Sequence, residues 1–355
     1  MSPRERSEDS MNVPAGWFRV AIVGAATLKG KELKDVLGER NFPAADTCLL
    51  DDDESLGQLD AVGDEVTFIQ SILPEHFDKV DFAFFASEGE FTRRNWKLAK
   101  QAGAAIVDLS YALEDEPGSV VRAPWIEHEL GTRPQPELES ATTVIAHPAA
   151  VVLGLLLLRA QKMGAIRSAA TTVFEPASEH GRRGMDELHE QTVNLLSFQQ
   201  LPKNVFDSQV AFNIISRYGE KSASTVESVE RRVLGHYKKI VGGRAPVPSL
   251  MLLQAPIFHA HGFSVYIELD KRVSLGDFTQ ALAGEHVTIT RLAEDSPSNV
   301  NAAGQDDVLV TLRRDVQHEN GFWLWATADN LRLAAQTAVD CAAALAASRP
   351  QGKVQ

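Results

Sequence analysis

The chain has 355 residues, 44% hydrophobic and 23% charged, values of a soluble globular protein long enough for two domains with their own cores. A formal net charge of -13 and a sequence pI of about 5.3 argue against nucleic acid, an anionic membrane or a highly phosphorylated ligand as partner, because phosphate neutralisation needs clustered Lys and Arg. Cys48 and Cys341 sit in apolar runs without the spacing of a disulfide framework, so a reducing cytoplasm is the expected compartment.

Residues 1–16, with Arg4, Glu5, Arg6, Glu8 and Asp9, lack an apolar signal-peptide core and read as a flexible tail. Phe18 to Val23 is a β-branched apolar run leading into Gly24-Ala25-Ala26-Thr27-Leu28-Lys29-Gly30, with a helix pattern from Lys31 to Leu37. Strand, glycine turn and helix open a dinucleotide-binding unit of the Rossmann type. Further strands are predicted at Cys48 to Leu50, Asp81 to Ala86 and Ala104 to Leu109, which makes 17–135 an α/β domain with a parallel sheet covered on both faces.

Beyond residue 135 the strands alternate, as at Ala169 to Phe174 and Phe263 to Leu269, and two more are predicted at Val308 to Arg313 and Phe322 to Ala328. These place an α+β domain over 136–328. Ala149 to Leu158 is too short to cross a bilayer and reads as a buried helix. The amphipathic segment Asp329 to Ala347 is expected to fold back and complete the first domain with residues 329–355. Gly181 to Leu188, with Arg182 and Arg183, reads as a solvated loop, and Tyr237-Lys238-Lys239 as an exposed helical face.

Several separated segments carry a resemblance. They are Val23-Gly24 to Gly30, Glu39-Arg40-Asn41-Phe42-Pro43, Gly181 to Leu188, Ala211-Phe212-Asn213-Ile214-Ile215, the stretch around Glu230 to Ile240, and Asp329-Asn330-Leu331-Arg332. Their order from about Phe18 to about Leu345 resembles the aspartate-semialdehyde dehydrogenase family. The resemblance implies a Rossmann-type domain, an α+β dimerisation domain that makes a homodimer through its sheet, and a cysteine nucleophile that captures an aldehyde. In Val144-Ile145-Ala146-His147-Pro148-Ala149-Ala150 the position matching that nucleophile is Ala150, whose methyl group attacks nothing.

Other family positions also differ. Gln254 stands where the family has an arginine for the substrate carboxylate, which loses a bidentate ion pair. Glu114 stands where an arginine binds phosphate, a local change of two charge units. Glu175 matches the glutamine that orients the acyl group, and Glu127 an asparagine. His261 matches the general acid/base, Glu230 the acid that holds the substrate amino group, and Arg232 a lysine.

On the cofactor side Gly24 and Gly30 remain, Thr27 replaces a second glycine, and Ser87-Glu88-Gly89-Glu90 replaces a glycine pair, with Gly89 kept. The family's Ser-Arg-Ser type grip on a 2′-phosphate becomes Asp51-Asp52-Asp53-Glu54-Ser55, so Glu54 and its neighbours oppose NADP. No cofactor is expected.

No metal is expected either. The competing metal reading places His259 and His261 on one strand face, with His147, His180, Glu175 and Glu230 lining the same cleft. The expectation is a nucleophile-less homologue that binds itself and an unidentified protein or altered small ligand. The alternatives are an NAD(P)-dependent semialdehyde oxidoreductase, or histidine-based chemistry in a repurposed cleft.

Overall fold

The computed structural model describes residues 17–52, 57–62, 65–132, 142–290 and 296–348. Glu54 and the predicted tail lie outside the described residues. Phe18–Val23 forms β1, buried from Val20 onward, and Leu28–Glu39 forms α1. The helix starts earlier than its apolar pattern because Thr27 caps it, its hydroxyl accepting from Gly30 N at 3.0 Å. The second strand, β2, runs over Ala44–Leu50 and is longer than its apolar run, because its first half pairs at the sheet edge with partly exposed side chains.

A hairpin of β3 (Leu59–Val62) and β4 (Glu65–Phe68) follows, set apart from the main sheet. Then come β5 (Phe82–Phe85), α2 (Gly89–Gln101), β6 (Ala105–Asp108), β7 (Ser119–Arg122), α3 (Pro124–Glu129) and β8 (Thr142–Ile145). These strands build a wholly parallel sheet in the order β2-β1-β5-β6-β8-β7. The sheet extends past residue 135 to take in β8. The carboxyl ends of β1, β6 and β8 all deliver loops to one edge, the usual ligand edge of such sheets.

From β8 the chain enters α4 (Pro148–Met163), in which every residue from Pro148 to Ala160 is buried. It leads into β9 (Ile166–Glu175), α5 (Gly181–Leu196), α6 (Val226–Val241), β10 (Ser249–Gln254), β11 (His261–Leu269), α7 (Leu275–Leu282), β12 (Val287–Ile289), α8 (Asn299–Ala302), β13 (Val308–Arg314) and β14 (Gly321–Ala328). The second sheet is mixed, in the order β10-β9-β11-β14-β13-β12. On β11 Val265, Ile267 and Leu269 turn into the core while the intervening side chains are half-exposed, so one face packs as the alternation requires.

The closing helix α9 (Asn330–Ser348) returns to the first domain and buries Ala334, Ala338, Ala342 and Leu345 in its core. Arg332 ties it down, reaching Glu32 at 3.2 Å, Asp306 at 2.7 Å and Glu39.

Two local readings need correction. The 181–188 segment is the first half of α5, not a loop, and Arg182 pairs with Asp186 one turn on at 3.1 Å. Tyr237 is buried rather than exposed. It lies on the same face of α6 as Val229, Val233 and Val241, and its hydroxyl donates to Pro246 O at 2.8 Å.

Gly24 is held at φ 87°, and a Cβ there would lie 2.5 Å from Ser87 N. Gly24→Ala is therefore expected to destabilise the protein by about 2–4 kcal/mol in urea unfolding. Gly38, near the end of α1 with open space around it, is the contrast. Gly38→Ala is expected to stabilise by up to about 1 kcal/mol. Equal effects at the two positions would contradict the geometry described here.

Candidate functional site

The site is assembled from the loop after β6, the start of α4, one face of α6 and the ends of β9, β10 and β11. Asp108, at the end of β6, wraps the following turn around its carboxylate, accepting from Ser110 N at 2.8 Å, Ser110 Oγ at 2.6 Å and Leu113 N at 2.9 Å. This turn holds Tyr111 at φ 63° and stacks its ring on His147, centroids 5.4 Å apart. It also carries Glu114 toward α6.

Arg232 and His236 are one helical turn apart on α6, so both side chains face that loop. Arg232 Nε donates to Glu114 Oε1 at 3.0 Å, and His236 Nε2 lies 2.8 Å from Glu114 Oε2. His236 Nδ1 accepts from His147 N at 2.9 Å, which fixes its tautomer with the proton toward Glu114. Burial acts to raise the Glu114 carboxyl, but the bonds and charges of His236 and Arg232 outweigh it and lower the pKa. An internal carboxylate thus engages both Arg232 and His236 at this position. Glu230 lies two residues from Arg232 and so faces elsewhere, its carboxylate accepting from Leu252 N on β10 at 2.7 Å.

Ala150 sits in the first turn of α4, fully buried in the second core. His147 caps this helix, its Nδ1 accepting from Ala149 N at 3.2 Å. Across from it Glu175, buried at the end of β9, places Oε1 3.2 Å from the Tyr218 hydroxyl and 3.3 Å from His180 Nε2. Gln254 is wholly buried. Its amide donates to Glu175 O and Ala255 O, both at 3.0 Å, and its carbonyl lies 3.0 Å from the Tyr218 hydroxyl.

His261 opens β11 and is buried, with neither ring nitrogen hydrogen-bonded to a described residue. The paired His259–His261 reading is overturned, because His259 precedes the strand and Ala260 between them turns at φ 67°. His261 instead lies with His147 and Glu175, one ligand atom of each falling within 4.8 Å of the others. Burial lowers the pKa of both His147 and His261, most strongly for His147.

Most of the amides of the dinucleotide loop are engaged from within, those of Gly24 to Thr27 and of Gly30. Gly24 N and Ala25 N donate to Leu50 O at 2.8 and 3.2 Å, and Thr27 N to Gly24 O at 3.1 Å. Ala26 N donates to Asp51 Oδ2 at 2.7 Å, so this acid after β2 faces the glycine loop. Thr27 Oγ1 is within 2.8 Å of Gly24 O as well as capping Gly30 N. Gly30 is required for another reason: a Cβ there would lie 2.1 Å from Gly24 O. Gly89 opens α2, and a Cβ added there would meet the Ala112 methyl at an ordinary 3.5 Å. Glu127 is remote from the cluster and forms a two-point ion pair with Arg122 at 2.9 and 2.6 Å.

Sequence reading did not single out His236, Glu179 or Tyr218. The Arg232–His236 spacing of one turn was the available signal for the first. Glu179 lies in the short turn Ala177–His180, with its carboxylate 4.0 Å from His147 Nε2 and accepting from Asn330 Nδ2 at 2.9 Å. Burial alone would raise its pKa, but Lys29, His147, His261 and Asn330 together hold it down to about 2.

That depression has a definite sign. Stability from the Glu179 carboxylate is present in full above about pH 4.5 and is lost as pH falls toward about 2. In Glu179→Gln the acid limb of the stability curve is expected to be shallower, with a loss at neutral pH of about 3 kcal/mol. Urea midpoints of the two proteins, compared from pH 7 downward, check this; parallel curves would contradict a charged Glu179.

Comparison with known proteins matches this geometry to one family. Residues 19–155 match the semialdehyde dehydrogenase NAD binding domain and residues 155–333 the semialdehyde dehydrogenase dimerisation domain. An aspartate-semialdehyde dehydrogenase of Rickettsia conorii is 29% identical, covering 89% of this chain and 93% of its own length. A USG-1 protein homolog of Pseudomonas aeruginosa is 30% identical over the same shares. The structure of a probable aspartate-semialdehyde dehydrogenase from Pseudomonas aeruginosa superposes with a TM-score of 0.81 at 28% identity, covering 93% of this chain and 98% of that one. Aspartate semialdehyde dehydrogenase II of Vibrio cholerae, solved in complex with ASA, gives 0.79 at 26% identity over the same shares. With both domains matched in order and nearly the whole length covered, this chain belongs to the semialdehyde dehydrogenase family.

Proposed function

We propose that this family member has given up thiol-based semialdehyde oxidation and keeps the two-domain scaffold for binding. The observation that carries the reading is Glu114. It presents a carboxylate to Arg232 and His236, where the family resemblance calls for an arginine facing an anion. A phosphate or substrate carboxylate entering there meets a negative charge already in place and must break its bonds to two partners. Ala150 then removes the nucleophile, and Gln254 spends its amide on backbone carbonyls rather than on a substrate.

The same reading extends to the cofactor. Pyrophosphate recognition at a helix start relies on free backbone N–H groups. In this chain the amides from Gly24 to Thr27 and that of Gly30 are all engaged internally. Two acids, Asp51 and Asp52, follow β2. Neither NADP nor NAD is an intended ligand on this reading.

Self-association is the activity expected to persist. The second domain matches a dimerisation domain, and it leaves Phe198 99% exposed, with Leu196, Phe212 and Ile214 also turned to solvent. A single folded chain has little reason to expose such side chains unless a second surface covers them. Light scattering at micromolar concentration is expected to give the mass of a dimer; a monomer would remove this part of the proposal.

The decisive experiment is calorimetric titration with NADP and with NAD, joined to an assay of Ala150→Cys. Neither nucleotide is expected to bind at millimolar concentration, a free energy weaker than about -4 kcal/mol. Ala150→Cys alone is expected to give no phosphate-dependent semialdehyde turnover, because Glu114 and Gln254 are unchanged. Micromolar NAD(P) binding, or turnover by the single variant, would favour the alternative of a working oxidoreductase.

A further inference from the structure

One part of the cleft is not saturated from within. His147 at the start of α4, Glu175 at the end of β9 and His261 at the start of β11 come from three separate elements and are all buried. One ligand atom of each lies within 4.8 Å of the other two. Neither nitrogen of His261 has a hydrogen-bond partner among the described residues, and nor does Glu175 Oε2. The Tyr111 hydroxyl, on the ring stacked against His147, is likewise without one. Buried polar atoms in native proteins find partners almost without exception, so a cluster of orphans points to an ion or an ordered water between them.

The chemistry of the orphans says what kind. Imidazole nitrogens and a carboxylate oxygen all offer lone pairs, and two histidines with one glutamate are a known donor set for zinc with a coordination position left open. We propose that His147, Glu175 and His261 form a binding site for a divalent transition-metal ion of the zinc type. The site is independent of the loss of the nucleophile and of the cofactor reading, and stands or falls separately from both.

The surroundings suit it. Glu175 Oε1 is held by Tyr218 and lies beside His180, and Gln254 anchors the backbone carbonyl of the same residue, which leaves Oε2 to point at an ion. Such outer hydrogen bonds fix the orientation of ligating side chains. The carboxylate of Glu179, 4.0 Å from His147 Nε2, adds negative charge beside the cluster. Metal–ligand bonds of about 2.0–2.2 Å require the widest separation in the set to shorten by roughly 1–1.5 Å. His147 must also move its ring proton to Nδ1 when Nε2 ligates, releasing the long 3.2 Å bond from Ala149 N.

The test uses the full chain, stripped with a chelator and dialysed. Zn2+ is titrated by calorimetry, and Co2+ by visible absorption, whose band strength reports coordination number. One equivalent per chain is expected, with the intense bands of a four- or five-coordinate ion. Glu175→Gln and His261→Ala are expected to weaken binding by more than about 100-fold, and Tyr218→Phe, which removes an outer hydroxyl shared among Glu175, Gln254 and His180, by about 10–100-fold. His189→Ala, on the exposed face of α5, should change nothing. Zn2+ should raise the melting temperature of the wild type and not of Glu175→Gln. Absence of binding at millimolar metal, a six-coordinate Co2+ spectrum, or equal affinity in wild type and Tyr218→Phe would overturn the proposal, whether or not the ligand variants fold.

Discussion

The burial of α4 is the constraint on which the rest of the molecule depends. It carries an apolar run from Val151 to Leu158 at the heart of the second core, against which Ala123, Trp125 and Ile126 of the first domain also pack. Each fully buried Val or Leu contributes about 1.5–3 kcal/mol, so the helix has no freedom to slide or roll. Its first turn is consequently a fixed point at the carboxyl edge of the parallel sheet. In a thiol enzyme of this family that fixed point presents the nucleophile. On the resemblance, the matching residue here is Ala150, and His147 caps the helix.

Around that point, polar groups have found partners inside the protein. Glu114 satisfies Arg232 and His236, Thr27 and Asp51 satisfy the glycine loop, and Gln254 satisfies two carbonyls. Leaving such donors buried and unpaired would cost about 1–3 kcal/mol each, which these internal bonds avoid. Compensation by an internal acid explains how an arginine position can become glutamate without expelling Arg232 from the site. The ion pair is only partly buried, so its worth lies in neutralising charge more than in net stability.

Much of the fold was legible because period and turn chemistry agree. The strand–glycine–helix opening, the alternating strands of the second sheet and the returning α9 all follow from patterns of apolar residues. Boundaries were less legible where something other than hydrophobicity sets them: the Thr27 cap lengthens α1, and edge pairing lengthens β2. Tyr237 was misread because two lysines follow it, although its spacing from Val233 and Val241 places it on the buried face. At the site, the Ala150 and Glu114 positions could be named from the chain alone. That Glu114 meets His236, or that Glu230 turns to Leu252 instead, depends on helix phase against a distant loop, which a single sequence does not display.

The two regions of the cleft therefore differ in kind. Around the glycine loop and Glu114, many of the donors are spent on internal bonds. Between them, His261, Glu175 and Tyr111 keep buried polar atoms without partners among the described residues. Simple decay does not predict that difference, since an unused buried histidine costs stability and is readily replaced by an apolar side chain of similar size. His261 is retained in full burial beside a glutamate that the resemblance gives as glutamine. The unsatisfied cluster is thus better explained by a cation that completes it than by the residue of a lost reaction.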